Sequence, residues 1–277
     1  MFNGKIVGLV GAGNMGEILI RGLIQSGKVT RSHILACDVR KDRLSYFTKT
    51  YGIKTTESAK TVVKKASVII LAVKPQNIDE LLEQLTSSSH EGHLFISIVA
   101  GVTAEKIAEK LHHKTGIIRA MPNAPASVLA GITALYPGRN VSQEDLKIAQ
   151  AIFECVGKTV LIKSEALMDV VTGLSGSGPA YVFLAIESLS DAGVQLGISR
   201  NESSLLAAHT VFGAAKMLLE TGKHPSELKD LVATPGGTTF AGLKMLEKCN
   251  FRSTIMEAVE AATVRSRELG ILINNKK

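Results

Sequence analysis

The sequence predicts an α/β N-terminal half built as a doubly wound parallel sheet, followed by an all-α C-terminal domain. Three observations predict it. Short apolar runs alternate with helix-period segments up to about residue 163; beyond that point strand-like runs disappear and every window reads helical; and 277 residues exceed what one hydrophobic core usually organises. The expected division is 1–163 and 164–277.

Residues 5–10 form an apolar run ending on glycine, as a buried parallel strand requires. Met15, Ile18, Leu19, Gly22 and Leu23 then recur at helical spacing, and Gly27 stops that helix. The alternation continues with strands at 34–38, 68–73, 94–99 and 117–120 and helices at 43–51 and 78–85. Such alternation places crossover helices on both faces and a binding crevice at the carboxyl ends of the strands. In the second half, Pro179 stands at a first helical position, residues 179–189 are apolar nearly all round, and Ser199 with Glu202 opens the next helix. Leu205, Leu206, Val211, Phe212, Met217, Leu218 and Leu219 repeat the apolar excess. Helices apolar on every face must be covered on every face, which points to a second subunit.

Composition narrows the classes. With 45% apolar and 21% charged residues the chain is globular, and no stretch reaches the unbroken apolar length of a membrane span. Met1 runs into a strand with no signal-peptide pattern, so a cytoplasmic location is expected. Cys37, Cys155 and Cys249 are too far apart for a CxxC metal or redox pair and read as reduced thiols. The net charge of +7 comes from scattered residues and is accompanied by no Trp, which argues against a nucleic-acid surface and for anionic small molecules.

The first chemical motif is Gly11-Ala12-Gly13-Asn14-Met15-Gly16, a GxGxxG between a predicted strand and a predicted helix. In that context Gly11 permits the turn, Gly13 lets backbone approach a pyrophosphate and Gly16 lets helix and strand pack, while the helix N-terminus offers N–H groups and its dipole to phosphate. The N-terminal half is thus of Rossmann type, and the expected cofactor is NADPH or NADH. Asp38, at the end of the second strand, is placed to accept from an adenosine ribose and to disfavour a 2′-phosphate; Arg40 and Lys41 could instead grip that phosphate, and a solvated loop charge is the plain alternative. Ala72, Val73, Lys74 and Pro75 leave another strand toward the crevice, as do Val99 and Ala100 after the next; all six are cofactor-binding candidates, with a surface lysine the alternative at Lys74. Met121-Pro122-Asn123-Ala124-Pro125 is a stiff loop holding Asn123 in one geometry, or a simple connector. In Leu228 to Thr239, the run Thr234-Pro235-Gly236-Gly237-Thr238-Thr239 exposes N–H groups and hydroxyls at a helix start, an arrangement that suits an anion and equally suits a capped helix.

Together these segments, with Gly173-Leu-Ser-Gly-Ser-Gly-Pro-Ala-Tyr181, resemble the pyrroline-5-carboxylate reductase family over essentially the whole chain. The glycine-serine-proline block and the Pro-Gly-Gly-x-Thr segment are specific to that family. The resemblance implies reduction of L-1-pyrroline-5-carboxylate to L-proline by hydride from NAD(P)H, with Thr239 as hydroxyl donor to the ring nitrogen. N–H groups of Gly237 and Thr238, with Thr234 and Asn123, would hold the substrate. No catalytic His, Lys or metal is expected, because the hydride chemistry belongs to the cofactor. Where many members carry an asparagine near the adenosine, this chain has Ala59. The all-round apolar helices between Pro179 and Leu219 are expected to bury against a partner subunit, making a homodimer or a ring of dimers through the C-terminal helices.

Two other readings compete. A beta-hydroxyacid dehydrogenase shares the architecture but needs a lysine where this chain has Val182. A non-catalytic NAD(P)-binding module keeps the fold without chemistry, and the intact Pro-Gly-Gly-x-Thr segment speaks against it.

Overall fold

A computed structural model describes Phe2 and residues 4–274. Eight strands are found among them: β1 (Val7–Val10), β2 (Ile34–Cys37), β3 (Lys54–Thr56), β4 (Val68–Leu71), β5 (Leu94–Ser97), β6 (Gly116–Met121), β7 (Gly131–Pro137) and β8 (Gly157–Leu161). They form one sheet in the order β3-β2-β1-β4-β5-β6-β7-β8, in which every neighbouring pair is parallel except β6 with β7. The chain reverses direction of winding beside β1, so the loops after β1 and β4 face each other at the switch point.

Helices α1 (Asn14–Gln25), α2 (Lys41–Tyr51), α3 (Ala59–Lys65), α4 (Ile78–Leu85), α5 (Ala104–Lys110) and α6 (Gln143–Phe153) cover the two faces. Leu19, Leu23, Phe47 and Ile152 pack on one face with Leu9 and Ile70; Val62, Leu82 and Ile107 pack on the other with Val10 and Ile69. Successive strand residues thus enter opposite layers, which is why β1, β4 and β5 read as unbroken apolar runs.

The sequence reading did not find β3, β7 and β8, or α3, α5 and α6. β3 is a three-residue edge strand of Lys and Thr, and β8 is an edge strand with exposed residues, so neither carries a full apolar pattern. α6 does open with a capping box between Ser142 and Asp145, a signal that was there to be read.

After β8 the described chain is helical: α7 (Leu167–Val171), a π-type turn (Thr172–Gly176), α8 (Gly178–Gln195), α9 (Arg200–Thr221), α10 (Pro225–Val232), α11 (Thr238–Lys248) and α12 (Phe251–Asn274). Two compact units result, Met1–Gly176 with Ala261–Lys277, and Ser177–Glu260. This division differs from the expected one at residue 163, and packing supplies the reason. Met168 of α7 is buried with Met121 and Ala134, and Ser266 of α12 donates to Asp169 at 2.6 Å, so both pieces belong with the sheet. In the second unit Pro179 sits in the first turn of α8, and Ser199 caps α9 by accepting the Glu202 N–H. Phe183, Leu184, Leu205, Leu206, Phe212 and Leu219 remain exposed in the single chain, as the all-round apolar pattern implied.

Two outcomes follow from this packing. Gly22 lies in mid-helix, where Gly→Ala ordinarily stabilises by about 1 kcal/mol. Here an added Cβ would stand 2.4 Å from Val156 Cγ1 and 3.0 Å from the Cys155 carbonyl oxygen. Gly22→Ala is expected to destabilise by roughly 1–3 kcal/mol in denaturant titration. The second concerns His93, buried before β5, whose Nδ1 accepts the His90 N–H at 3.2 Å. Burial, with the neighbouring His90, pushes its imidazole down to about 4 from 6.5. The unfolded chain therefore takes up the proton first, and stability present above pH 6.5 falls by roughly 3 kcal/mol as pH drops toward 4. In His93→Gln, stability measured against pH is expected to lose that part of its acid slope.

Candidate functional site

The chain leaves β1 at Gly11 with φ +102°, and a Cβ there would lie 2.5 Å from the Ala72 carbonyl oxygen. The loops after β1 and β4 are therefore in backbone contact, and Gly11 also donates its N–H to the Cys37 carbonyl at 2.8 Å. Gly16 has the third role expected of the motif: its Cβ would meet the Gly11 carbonyl at 2.6 Å. Gly13 is the N-cap of α1, carries no side-chain cap, and has nothing within 4 Å of the position a Cβ would take. The first N–H groups of a twelve-residue helix are thus left without a side-chain cap beside open space, an arrangement whose charge suits a pyrophosphate. Ala12 is buried, Asn14 exposed, and Met15 packs partly against the core.

Asp38 does not simply await a ribose. Its Oδ2 accepts the Ala12 N–H at 2.8 Å, while Oδ1 accepts the Arg40 N–H at 2.9 Å and faces Arg40 Nε at 3.6 Å. The carboxylate anchors the glycine loop and is partly neutralised, so its power to repel a 2′-phosphate is lowered. Lys41 pairs with Glu57 at 3.6 Å on the surface. Ala59 is buried at the start of α3, where Ser58 caps the helix.

Along the other strand ends, Ala72 and Val73 are half-buried and Lys74 is exposed, with no carboxylate partner among the described residues; Pro75 opens a short 3₁₀ turn. Val99 is buried and Ala100 exposed. The segment that follows is held by residues the sequence reading missed. Asn274 Nδ2 donates to the Gly101 carbonyl at 2.8 Å, Glu165 Oε1 accepts the Ala104 N–H at 2.6 Å, and Lys106 Nζ donates to the Ile273 carbonyl at 2.5 Å. Glu165 is in turn paired with the buried Arg119 at 2.8 Å, and Lys106 with Asp79 at 2.7 Å. These contacts span from 27 to 173 positions, beyond any local pattern. A cavity of about 290 Å³ lies against this segment, lined by Pro75, Gln76, Asp79, Ala100, Leu269 and Ile273 among others.

Asn123 is held in one geometry, as its flanking prolines implied. Its Nδ2 donates to the Ser175 carbonyl at 3.2 Å and its Oδ1 accepts the Ile132 N–H at 3.0 Å. Both ends of the amide are committed to backbone, so the side chain ties the exit of β6 to the π-type turn.

In the second unit, the run from Thr234 to Thr239 is the turn between α10 and α11. Gly236 has φ +71°, Gly237 donates its N–H to the Thr234 carbonyl at 2.9 Å, and Gly237 is the N-cap of α11 with no side-chain cap. A Cβ at Gly237 would lie 2.4 Å from Thr234 Oγ1. The turn therefore brings a threonine hydroxyl against uncapped helix N–H groups. Thr238 is exposed and Thr239 half-buried in the first turn.

Comparisons with known proteins agree with this division of chemistry. The family model for pyrroline-5-carboxylate reductase dimerisation matches residues 165–269, and that for coenzyme F420-dependent NADP oxidoreductase matches residues 6–101. A pyrroline-5-carboxylate reductase of Methanosarcina acetivorans is 44% identical over 98% of this chain and 99% of its own length; that of Escherichia coli is 42% identical over 96% and 98%. Among solved structures, a pyrroline-5-carboxylate reductase of Coxiella burnetii superposes with a TM-score of 0.92 at 37% identity, covering 96% of this chain and 99% of that one. The Plasmodium falciparum pyrroline carboxylate reductase with NADP bound gives 0.85 at 33%, covering 96% and 98%. With relatives this similar spanning both halves without a break, the chain belongs to the pyrroline-5-carboxylate reductase family.

Proposed function

We propose that this chain reduces L-1-pyrroline-5-carboxylate to L-proline with hydride from NADPH or NADH. The observation that carries the reading is the presence, in one chain matched over nearly its whole length by that family, of two helices that start on a glycine with no side-chain cap: α1 behind the glycine loop and α11 behind Pro-Gly-Gly-Thr-Thr. Each is built for an anion, the first for a pyrophosphate and the second for a carboxylate.

Bound NAD(P)H supplies the hydride. On the chain's side, Gly11 to Gly16 seat the pyrophosphate, with Asp38 setting the loop, and Ala72 to Pro75, Val99 and Ala100 line the crevice beside it. The N–H groups of Gly237 and Thr238 and the Thr234 hydroxyl hold the substrate carboxylate, and Asn123 contributes by fixing the segment around Ser175. As hydride reaches C2, the imine carbon, the π pair of the C=N bond moves onto the ring nitrogen, which takes up a proton from water to become the amine of proline. Thr239 donates its hydroxyl to that nitrogen, where charge changes most along the reaction. The free state of Cys37, Cys155 and Cys249 supports a cytoplasmic setting, and no helix among the described residues is long and apolar enough to cross a membrane.

The roles of Thr239 and its neighbour separate kinetically. Contacts to the carboxylate act equally in ground and transition states, whereas a donor aimed at the nitrogen acts on the transition state. Thr239→Val is expected to lower kcat by roughly ten- to a thousandfold, corresponding to about 1.4–4 kcal/mol, with little change in cofactor affinity. Thr238→Val is expected to do less, its contact being made by backbone. Full turnover in Thr239→Val, with only KM for the imine raised, would remove Thr239 from the chemistry.

The exposed apolar residues of α8 and α9 support a homodimer or a ring of dimers formed through the C-terminal helices, since so much apolar surface is unusual on a monomer. Light scattering at micromolar concentration is expected to give a multiple of the 29.5 kDa chain, and an active monomer would refute it.

A further inference from the structure

The peptide groups on both sides of Ala12 are held by side chains. Besides the Asp38 bond to the Ala12 N–H, Arg43 of α2 donates from Nε to the Ala12 carbonyl at 2.8 Å. The same guanidinium donates from Nη2 to Glu17 Oε2 at 2.6 Å, and the other Glu17 oxygen accepts from Tyr46 at 2.9 Å and Tyr51 at 2.8 Å. Arg43 lies over the rings of Tyr46 and Phe47, 5.1 and 5.2 Å from their centroids, so two aromatic rings help to hold its planar head. Both members of the ion pair are largely shielded, with side chains 19% and 23% exposed.

Glu17 poses an electrostatic problem that Arg43 answers. It stands in the first turn of α1, where a carboxylate favours the helix dipole but opposes a second anion at the same end. Although burial works to raise it, the bonds from Arg43, Tyr51 and Tyr46 hold the Glu17 carboxyl below its ordinary range, so it is ionised at neutral pH. An uncompensated negative charge there would weaken any diphosphate at α1.

We infer that Arg43 is a positioning residue for dinucleotide binding: it sets the Ala12 carbonyl and cancels Glu17, without contacting the adenosine end that distinguishes NADPH from NADH. Its guanidinium is spent on Ala12 and Glu17, so its effect is felt through the pyrophosphate, which both cofactors share. Lysine cannot replace it fully, because one ammonium cannot reproduce the fork that reaches a carbonyl and a carboxylate together. The inference rests on the proposed seating of the pyrophosphate at α1, which Gly13→Val tests separately: a Cβ there meets no protein atom, so that variant keeps the fold and loses cofactor if the seating is right.

The test is cofactor affinity of the full chain, read from the fluorescence of bound NADH and NADPH without imine, alongside thermal midpoints. Arg43→Leu is expected to raise Kd for both cofactors by the same factor, roughly tenfold, as for loss of one charge-assisted bond. Adding Glu17→Gln to it is expected to recover roughly threefold, because the uncompensated charge is then gone; a merely structural role predicts no such rescue. Arg43→Lys, which keeps the charge and carries the test if the leucine variant does not fold, is expected to raise both Kd values severalfold. Unchanged affinity in these variants, a loss confined to NADPH, or a double variant as weak as Arg43→Leu would each overturn the inference. Wild-type affinity in Gly13→Val would instead overturn the seating, and the two failures are thereby told apart.

Discussion

Backbone meets backbone where the loop after β1 passes the Ala72 carbonyl, and no side chain fits between them. That contact needs Gly11 in a left-handed conformation, and it needs β1 and β4 paired in register, Val10 against Leu71. From it follows the course of the chain into α1, and with it the direction in which the N–H groups of that helix point. The glycine at position 16 is a further consequence, since a helix leaving so tight a turn passes within contact of the turn's own carbonyl. A glycine turn made mostly of main chain results, with the side chains of Asp38 and Arg43 holding the main chain still.

That division of labour explains what could be read from the residues beforehand. Buried parallel strands announce themselves as apolar runs, so β1, β4 and β5 were legible, and the glycine motif was legible as the turn between β1 and α1. Spacing found Asp38 but not the Ala12 N–H it accepts, because a side chain's partner across 26 positions leaves no local trace. Arg43 and Glu17 were invisible for the same reason, each looking like an ordinary surface charge on its own helix. Edge strands β3 and β8 lack the two-sided burial that makes the pattern, and β7 mixes glycine, threonine and proline. The compact units divide elsewhere than at residue 163 because a helix's own periodicity says that it must pack, and not against what: α7 and the end of α12 pack with the sheet.

The charged groups sunk into the first unit serve that same purpose. Arg119 and Lys106 are nearly buried, a costly arrangement unless each is paired and bonded. Their partners, Glu165 and Asp79, are accompanied by bonds to backbone at Ala104 and Ile273, so the ion pairs brace the segment leaving β5. Replacing such a pair with apolar residues would fill the space but free the loop. The buried charges thus tie the segment leaving β5 to Glu165 before α7 and to the end of α12.

The bond from Asn274 to the Gly101 carbonyl joins residues 173 positions apart. During synthesis β1 to β5 emerge and can pair long before residue 274 has been made, so a nascent chain acquires its sheet with one wall of the crevice still unfastened. Only when translation has run through α12 does that wall receive this bond. A chain cut short in α12 would therefore keep the sheet while the segment after β5 lacked one of its fastenings.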